Sequence, residues 1–164
     1  MRSATIAAAA ALLVGAAACG GDSEPEADDT REATLEALPG WAEALPDAVG
    51  SATVATADGA TAFELNVSGL EQLAGYTAHV HDGTCDDTPP GGDHWLADPE
   101  QGDVESNWIH LMIETSVEGA GNGTADFDHV ADDRARSVVV HIDIADSDQA
   151  ARMPSDRVLC GDLE

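Results

Sequence analysis

Lysine is absent from this chain, and six arginines face 32 aspartates and glutamates. The formal net charge of −26 produces a field that repels polyanions, which excludes nucleic acid and anionic lipid headgroups as electrostatic partners. Simple solubility and a salt-rich habitat both account for such a surface, and composition does not choose between them. No uncharged apolar run reaches the roughly 20 residues of a permanent membrane span. No long amphipathic helix and no internal repeat is visible, which leaves little room for a helical bundle or a solenoid. Cysteine is scarce, with three residues in 164.

Three organisational units are expected. Residues 1–18 read as an export signal, with Arg2 as a minimal positive start and residues 4–18 as a small, apolar run. The run ends at Gly15-Ala16-Ala17-Ala18-Cys19, which resembles a bacterial lipoprotein cleavage site. Cys19 is therefore the expected lipid attachment point, holding the protein on the extracytoplasmic side of a membrane; the alternative is an ordinary cleaved signal without lipid. Residues 19–48 form the second unit, an acidic tether with a single helical turn over 34–38 that Pro39-Gly40 stops. Trp41 and Leu45 are expected to fold back onto the domain. With Cys19 set aside, Cys85 and Cys160 remain, either bridged or as two buried thiols. Export favours the bridge, and closing the 75-residue span stabilises a fold by about 4–5 kcal/mol in the chain-entropy view.

Residues 49–164 are the expected β domain. A period of two marks strands over 52–56 and 61–67, with Ala57-Asp58-Gly59 as the turn of a hairpin. Further strands are expected over 76–81, 108–115, 124–129, 137–144 and 157–160, with a long Gly-, Pro- and Asp-rich loop over 82–106. Many short strands separated by turns predict an all-β, antiparallel sandwich or flattened barrel.

Six histidines are present. Residues two apart in a strand share a face, so His79 and His81 project together, away from Ala78 and Val80. On the last long strand Val138, Val140, Ile142 and Ile144 share one face and leave His141 on the other. Two imidazoles from one rigid strand and a third from another make a nitrogen-rich site of the kind that suits copper. A chance pair of exposed histidines is the bland reading of His79 and His81 alone.

The segments Ser68-Gly69-Leu70, Gly75-Tyr76-Thr77-Ala78-His79-Val80-His81-Asp82-Gly83, Val138-Val139-Val140-His141 and Arg157-Val158-Leu159-Cys160-Gly161 together resemble the copper–zinc superoxide dismutase family. The resemblance covers most of residues 50–164. It implies a Greek-key β-barrel, His79, His81 and His141 as copper ligands, and a disulfide between Cys85 and Cys160. It also implies Arg157 as the residue that draws in superoxide; the plainer reading of Arg157 is a surface ion pair with Asp156 or a nearby carboxylate. His94, in Gly91-Gly92-Asp93-His94-Trp95, is similar to the family histidine that bridges two metals, which implies a fourth copper ligand.

The zinc half of the family pattern is missing. Residues 96–107 contain no histidine, although Asp103 stands near the place of the family's zinc-binding aspartate. His110 shares the outward face of its strand with Trp108 and Met112, opposite Ile109, Leu111 and Ile113, and reads as a surface or interface residue. His129 reads as solvated. A closed zinc site needs four protein ligands, so the expectation is copper without zinc. Asp143 and Asp146 are read as exposed carboxylates rather than partners of a ligand imidazole. The implied activity is disproportionation of superoxide. The alternatives are a copper-buffering lipoprotein on the same scaffold and a metal-free sandwich that mediates contacts.

Overall fold

The computed structural model describes residues 27–142 and 155–164. The export signal, the expected lipid site at Cys19, and Asp143 and Asp146 lie outside the described residues. The described chain is all β apart from one 3-10 turn. In order it forms β1 (Asp29–Ala37), β2 (Val49–Ala57), β3 (Ala60–Ser68), β4 (Gly75–His81), the 3-10 turn Glu105–Asn107, β5 (His110–Glu114), β6 (Gly121–Phe127), β7 (Ser137–Ile142) and β8 (Arg157–Asp162).

The eight strands make one antiparallel sheet in the order β5-β4-β7-β8-β1-β2-β3-β6. The chain crosses between distant strands twice, from β3 to β4 and from β6 to β7, which is the Greek-key crossover expected. The edge strands β5 and β6 face each other and close the flattened barrel with side chains. Gly121 and Gly123 allow that approach: a Cβ on either would stand 3.2–3.3 Å from Ile113 or Leu111. The core holds Leu35, Phe63, Leu65, Tyr76, Val80, Ile109, Val138, Val140 and Leu159, each at most 2% exposed. Burial of this kind is the main favourable contribution to the fold.

The β domain starts earlier than the sequence suggested. The expected tether over 19–48 and its helical turn over 34–38 are corrected by β1, which pairs with β2 from Asp29↔Thr56 to Glu36↔Val49. Only Ala33 and Leu35 of this strand are buried, so its apolar signal is thin. Its backbone groups are satisfied on the other side by β8 and the chain end: Glu36 pairs with Cys160, and Glu32 and Glu164 exchange two backbone hydrogen bonds of 3.1 and 3.0 Å. Gly161 makes this approach possible, since a Cβ there would meet the Thr34 carbonyl oxygen at 2.4 Å. Trp41 and Leu45 fold back as expected, at 1% and 8% exposure, on tight turns after Leu38.

The inward faces agree with the alternation read from the sequence. Tyr76, Ala78 and Val80 of β4 and Val138, Val140 and Ile142 of β7 are buried in the core. That fixes Thr77, His79 and His81 on the outer face of β4, and His141 on the outer face of β7. The loop after β4 then covers part of this outer surface. Gly91 packs against it so closely that a Cβ would stand 2.5 Å from Val139 Cγ2. Cys85 in the loop is bridged to Cys160 of β8, with Cα atoms 5.7 Å apart.

Candidate metal centre

β4 and β7 are neighbours, with Thr77 opposite His141 and His79 opposite Val139. This register sets three outward imidazoles on two adjacent strands. The fourth arrives by a different route. Trp95 is 1% exposed in the core, its indole N–H donates to Asp132 Oδ1 at 2.9 Å, and its backbone N–H donates to Val80 O at 3.0 Å. Burial of Trp95 turns the preceding residue outward, and His94 forms an isolated antiparallel bridge with His81.

One ring nitrogen from each of His79, His81, His94 and His141 lies within 4.8 Å of the others. The ring centroid of His79 is 4.5 Å from that of His94 and 5.0 Å from that of His141. His81 Nε2 and His141 Nε2 are 3.3 Å apart. His141 Nδ1 is 3.2 Å from Asp156 Oδ2, and His94 Nδ1 is 3.0 Å from Asp103 Oδ1. An ionised carboxylate only accepts, so each Nδ1 carries the proton of its bond and Nε2 is the ring nitrogen left for other partners. The bonds to the imidazoles hold the Asp103 and Asp156 carboxyls below the usual aspartate range.

The donor set fits a metal ion. His79 Nδ1 and His81 Nδ1 are buried with no hydrogen-bond partner among the described residues, an arrangement that costs free energy unless something else satisfies the rings. Burial, and secondly the nearby His141 ring, pushes His79 down to about 3 and His81 down to about 2. These two rings are therefore neutral and ready to donate a lone pair at neutral pH. Four imidazoles suit copper.

The same shifts give a pH dependence. Both folded values lie below the ordinary imidazole value of 6.5, so the unfolded chain binds protons that the folded chain refuses. The contribution is complete above pH 6.5 and is lost progressively as the pH falls toward the folded values. For fully buried His81 the loss between pH 6.5 and pH 5 is about 2 kcal/mol, and His79 loses a comparable amount because both folded values lie well below pH 5. Urea unfolding of the metal-free protein at the two pH values should show the lower midpoint at pH 5, and equal midpoints contradict the buried, neutral assignment.

A cavity of about 340 Å³ opens over the cluster, lined by Thr77, His79, His94, His141, Asp156 and Arg157. Arg157 Nη1 donates to Gly92 O at 3.0 Å and to Pro90 O. Burial lowers its pKa from the ordinary arginine value, against opposing pulls from Asp156 and Asp93. Its guanidinium is thus braced by the covering loop at the rim of the histidine cluster, rather than by a direct ion pair with Asp156. A larger cavity, about 600 Å³, lies over β1 and β2 beside Glu32, Asp162 and Glu164, and no imidazole lines it.

His110 stands beside the cluster without joining it. Its ring centroid is 6.3 Å from that of His79, and its Nε2 is 3.4 Å from Glu105 Oε1. Met112, on the same face, is 74% exposed. His129 is remote, and its carbonyl oxygen accepts from the Thr61 hydroxyl. Three participants are invisible in the sequence. Asp156 orients His141, although its nearness to Arg157 suggested a different partner. Trp108 lies against two of the imidazoles, with ring centroids 4.4 Å from His94 and 5.4 Å from His79. Asn107, 2% exposed, folds the loop that carries Asp103 by accepting from Asp98 N and donating to Asp98 O and Gly102 O.

No family model and no curated protein matches the sequence. Among solved structures, a Cu/Zn superoxide dismutase from Brucella abortus superposes with a TM-score of 0.55 at 21% identity, covering 83% of this chain and 100% of that one. A likeness at this identity is one of architecture. The chain has the fold of a Cu/Zn superoxide dismutase, with four imidazoles gathered on the outer face of its barrel.

Proposed function

We propose that this protein is a copper-dependent superoxide dismutase, a member of the copper–zinc superoxide dismutase family that works with copper alone. It acts outside the cytoplasm and is tethered to a membrane through lipid on Cys19. One observation carries the reading: four imidazoles converge within 4.8 Å beneath a cavity rimmed by one arginine. Convergence supports the ligand set His79, His81, His94 and His141, and the open rim supports access by a small anion.

The overall reaction joins two superoxide anions and two protons to give dioxygen and hydrogen peroxide. Copper supplies the one-electron acceptance and donation that this exchange requires. The chain's own groups do the rest. Asp156 and Asp103 hold His141 and His94 as Nδ1–H tautomers, so both offer Nε2. Arg157 supplies local positive charge where the protein as a whole repels anions, a role in which a small cleft focuses the field. Asp103 is engaged with His94 and Trp108, and residues 96–107 supply no imidazole, which supports the absence of a zinc site. The Cys85–Cys160 bridge supports residence in an oxidising compartment.

The test is superoxide removal by copper-loaded protein. Wild type should be active, and Arg157→Gln, which keeps an N–H donor and removes the charge, should lose about tenfold in kcat/KM at unchanged copper content. Tight copper binding with negligible turnover would instead assign the protein to copper buffering.

A further inference from the structure

Asp103 presents a problem of restraint. Its side chain is 66% exposed, and a carboxylate held at the surface by one imidazole is free to swing into water. Yet among the described residues it is the only hydrogen-bond partner of His94 Nδ1. A second donor meets the same oxygen: Trp108 Nε1 lies 2.6 Å from Asp103 Oδ1, beside His94 Nδ1 at 3.0 Å. The two donors come from opposite sides of the loop, nine residues before Asp103 and five after it.

Trp108 is itself well anchored. The next residue, Ile109, is fully buried, and its carbonyl oxygen accepts from Val80 N at 3.1 Å. This places the indole on the outer face of the sheet, over His94 and edge-on to His79. Indole nitrogen is a donor only. It cannot compete for the His94 proton; it can only hold the carboxylate that accepts it.

We propose that Trp108 is a positioning residue for the metal centre: its N–H fixes Asp103, which locks His94 in the Nδ1–H tautomer with Nε2 turned to the other three imidazoles. The ring also closes the flank of the site between His79 and His94. This rests on the four-histidine metal-centre reading, and it explains how His94 is aimed by side chains of the chain itself.

The experiment uses metal-free protein first. Long-range nitrogen–proton NMR reads the tautomer of each histidine directly. Wild type should show His94 as the pure Nδ1–H form. Trp108→Phe keeps an aromatic ring and removes the N–H, so His94 should become a mixture of tautomers and the Kd for Cu(II) should rise about tenfold. Asp103→Ala, at an exposed position that leaves the core untouched, removes the acceptor, should disturb the same signal and keeps the test valid if the tryptophan variant folds poorly. A His94 that stays purely Nδ1–H in either folded variant overturns the proposal, whatever the copper affinity does. Failure of wild type to bind copper would overturn the proposed function instead, and the metal-free spectra would still decide the tautomer lock.

Discussion

Removing the Cys85–Cys160 bridge with the paired substitution Cys85→Ser and Cys160→Ser is expected to cost about 4–5 kcal/mol. The bridge closes a 75-residue segment, and in the chain-entropy view the restriction acts mainly on the unfolded state. Against a typical total of about 5–15 kcal/mol, this removes roughly a quarter or more of the stability of an ordinary domain. Urea unfolding would register a midpoint lower by about 2 M at a slope near 2 kcal/mol per M. The effect should be less severe on the site than on the fold. The covering loop keeps other ties: Cys85 N donates to Asp162 Oδ1 at 2.8 Å, Arg157 holds Gly92, and His94 bridges His81. A loss under about 1 kcal/mol would show that the unfolded chain is already restrained without the bridge.

His141→Ala should have the opposite profile. It removes one of four converging nitrogens and leaves Asp156 without its imidazole partner. Copper affinity should fall by more than roughly 100-fold, beyond the 10–100-fold typical of losing only an orienting partner, and superoxide removal should vanish with it. The metal-free fold should hold, because His141 lies on the outer face of β7 and the core side of that strand is filled by Val138, Val140 and Ile142. Burial, the main cause of the low His79 and His81 values, is left in place, and only the secondary effect of the His141 ring is removed. Metal content together with thermal unfolding checks both halves. Unchanged copper binding would remove His141 from the ligand set and, with it, the convergence on which the proposed function rests.

The two variants separate what the bridge does from what the imidazoles do. They also mark the limit of what was readable without coordinates. His79-Val80-His81 announces its own geometry, since any strand throws alternate residues to one side. The valines of β7 do the same for His141 by occupying the inner face. The hidden parts involve contacts between segments. Asp156 reaches His141 only because β8 returns beside β7, and its neighbour Arg157 gave the more obvious pairing. Asp103 reaches His94 because Asn107 folds the intervening loop; the sequence marked Asp103 only by its nearness to a zinc ligand's place, and nothing in it tied Asp103 to His94 or pointed to Asn107.

β1 shows the same division most plainly. Its two buried residues, Ala33 and Leu35, are too few to outweigh the acidic context of residues 20–34 in a local reading. The ladder with β2 and the contacts to β8 and the chain end make it a strand, and those partners lie as many as 132 residues away, from Glu32 to Glu164. The sequence by itself determined the all-β class and the inward and outward faces of β4 and β7, because strand periodicity is a local property of the backbone. Only the tertiary structure decided where the domain begins, how His94 joins the other three rings, and which carboxylates aim them. Those outcomes depend on hydrogen bonds and packing between segments that no short window of residues contains.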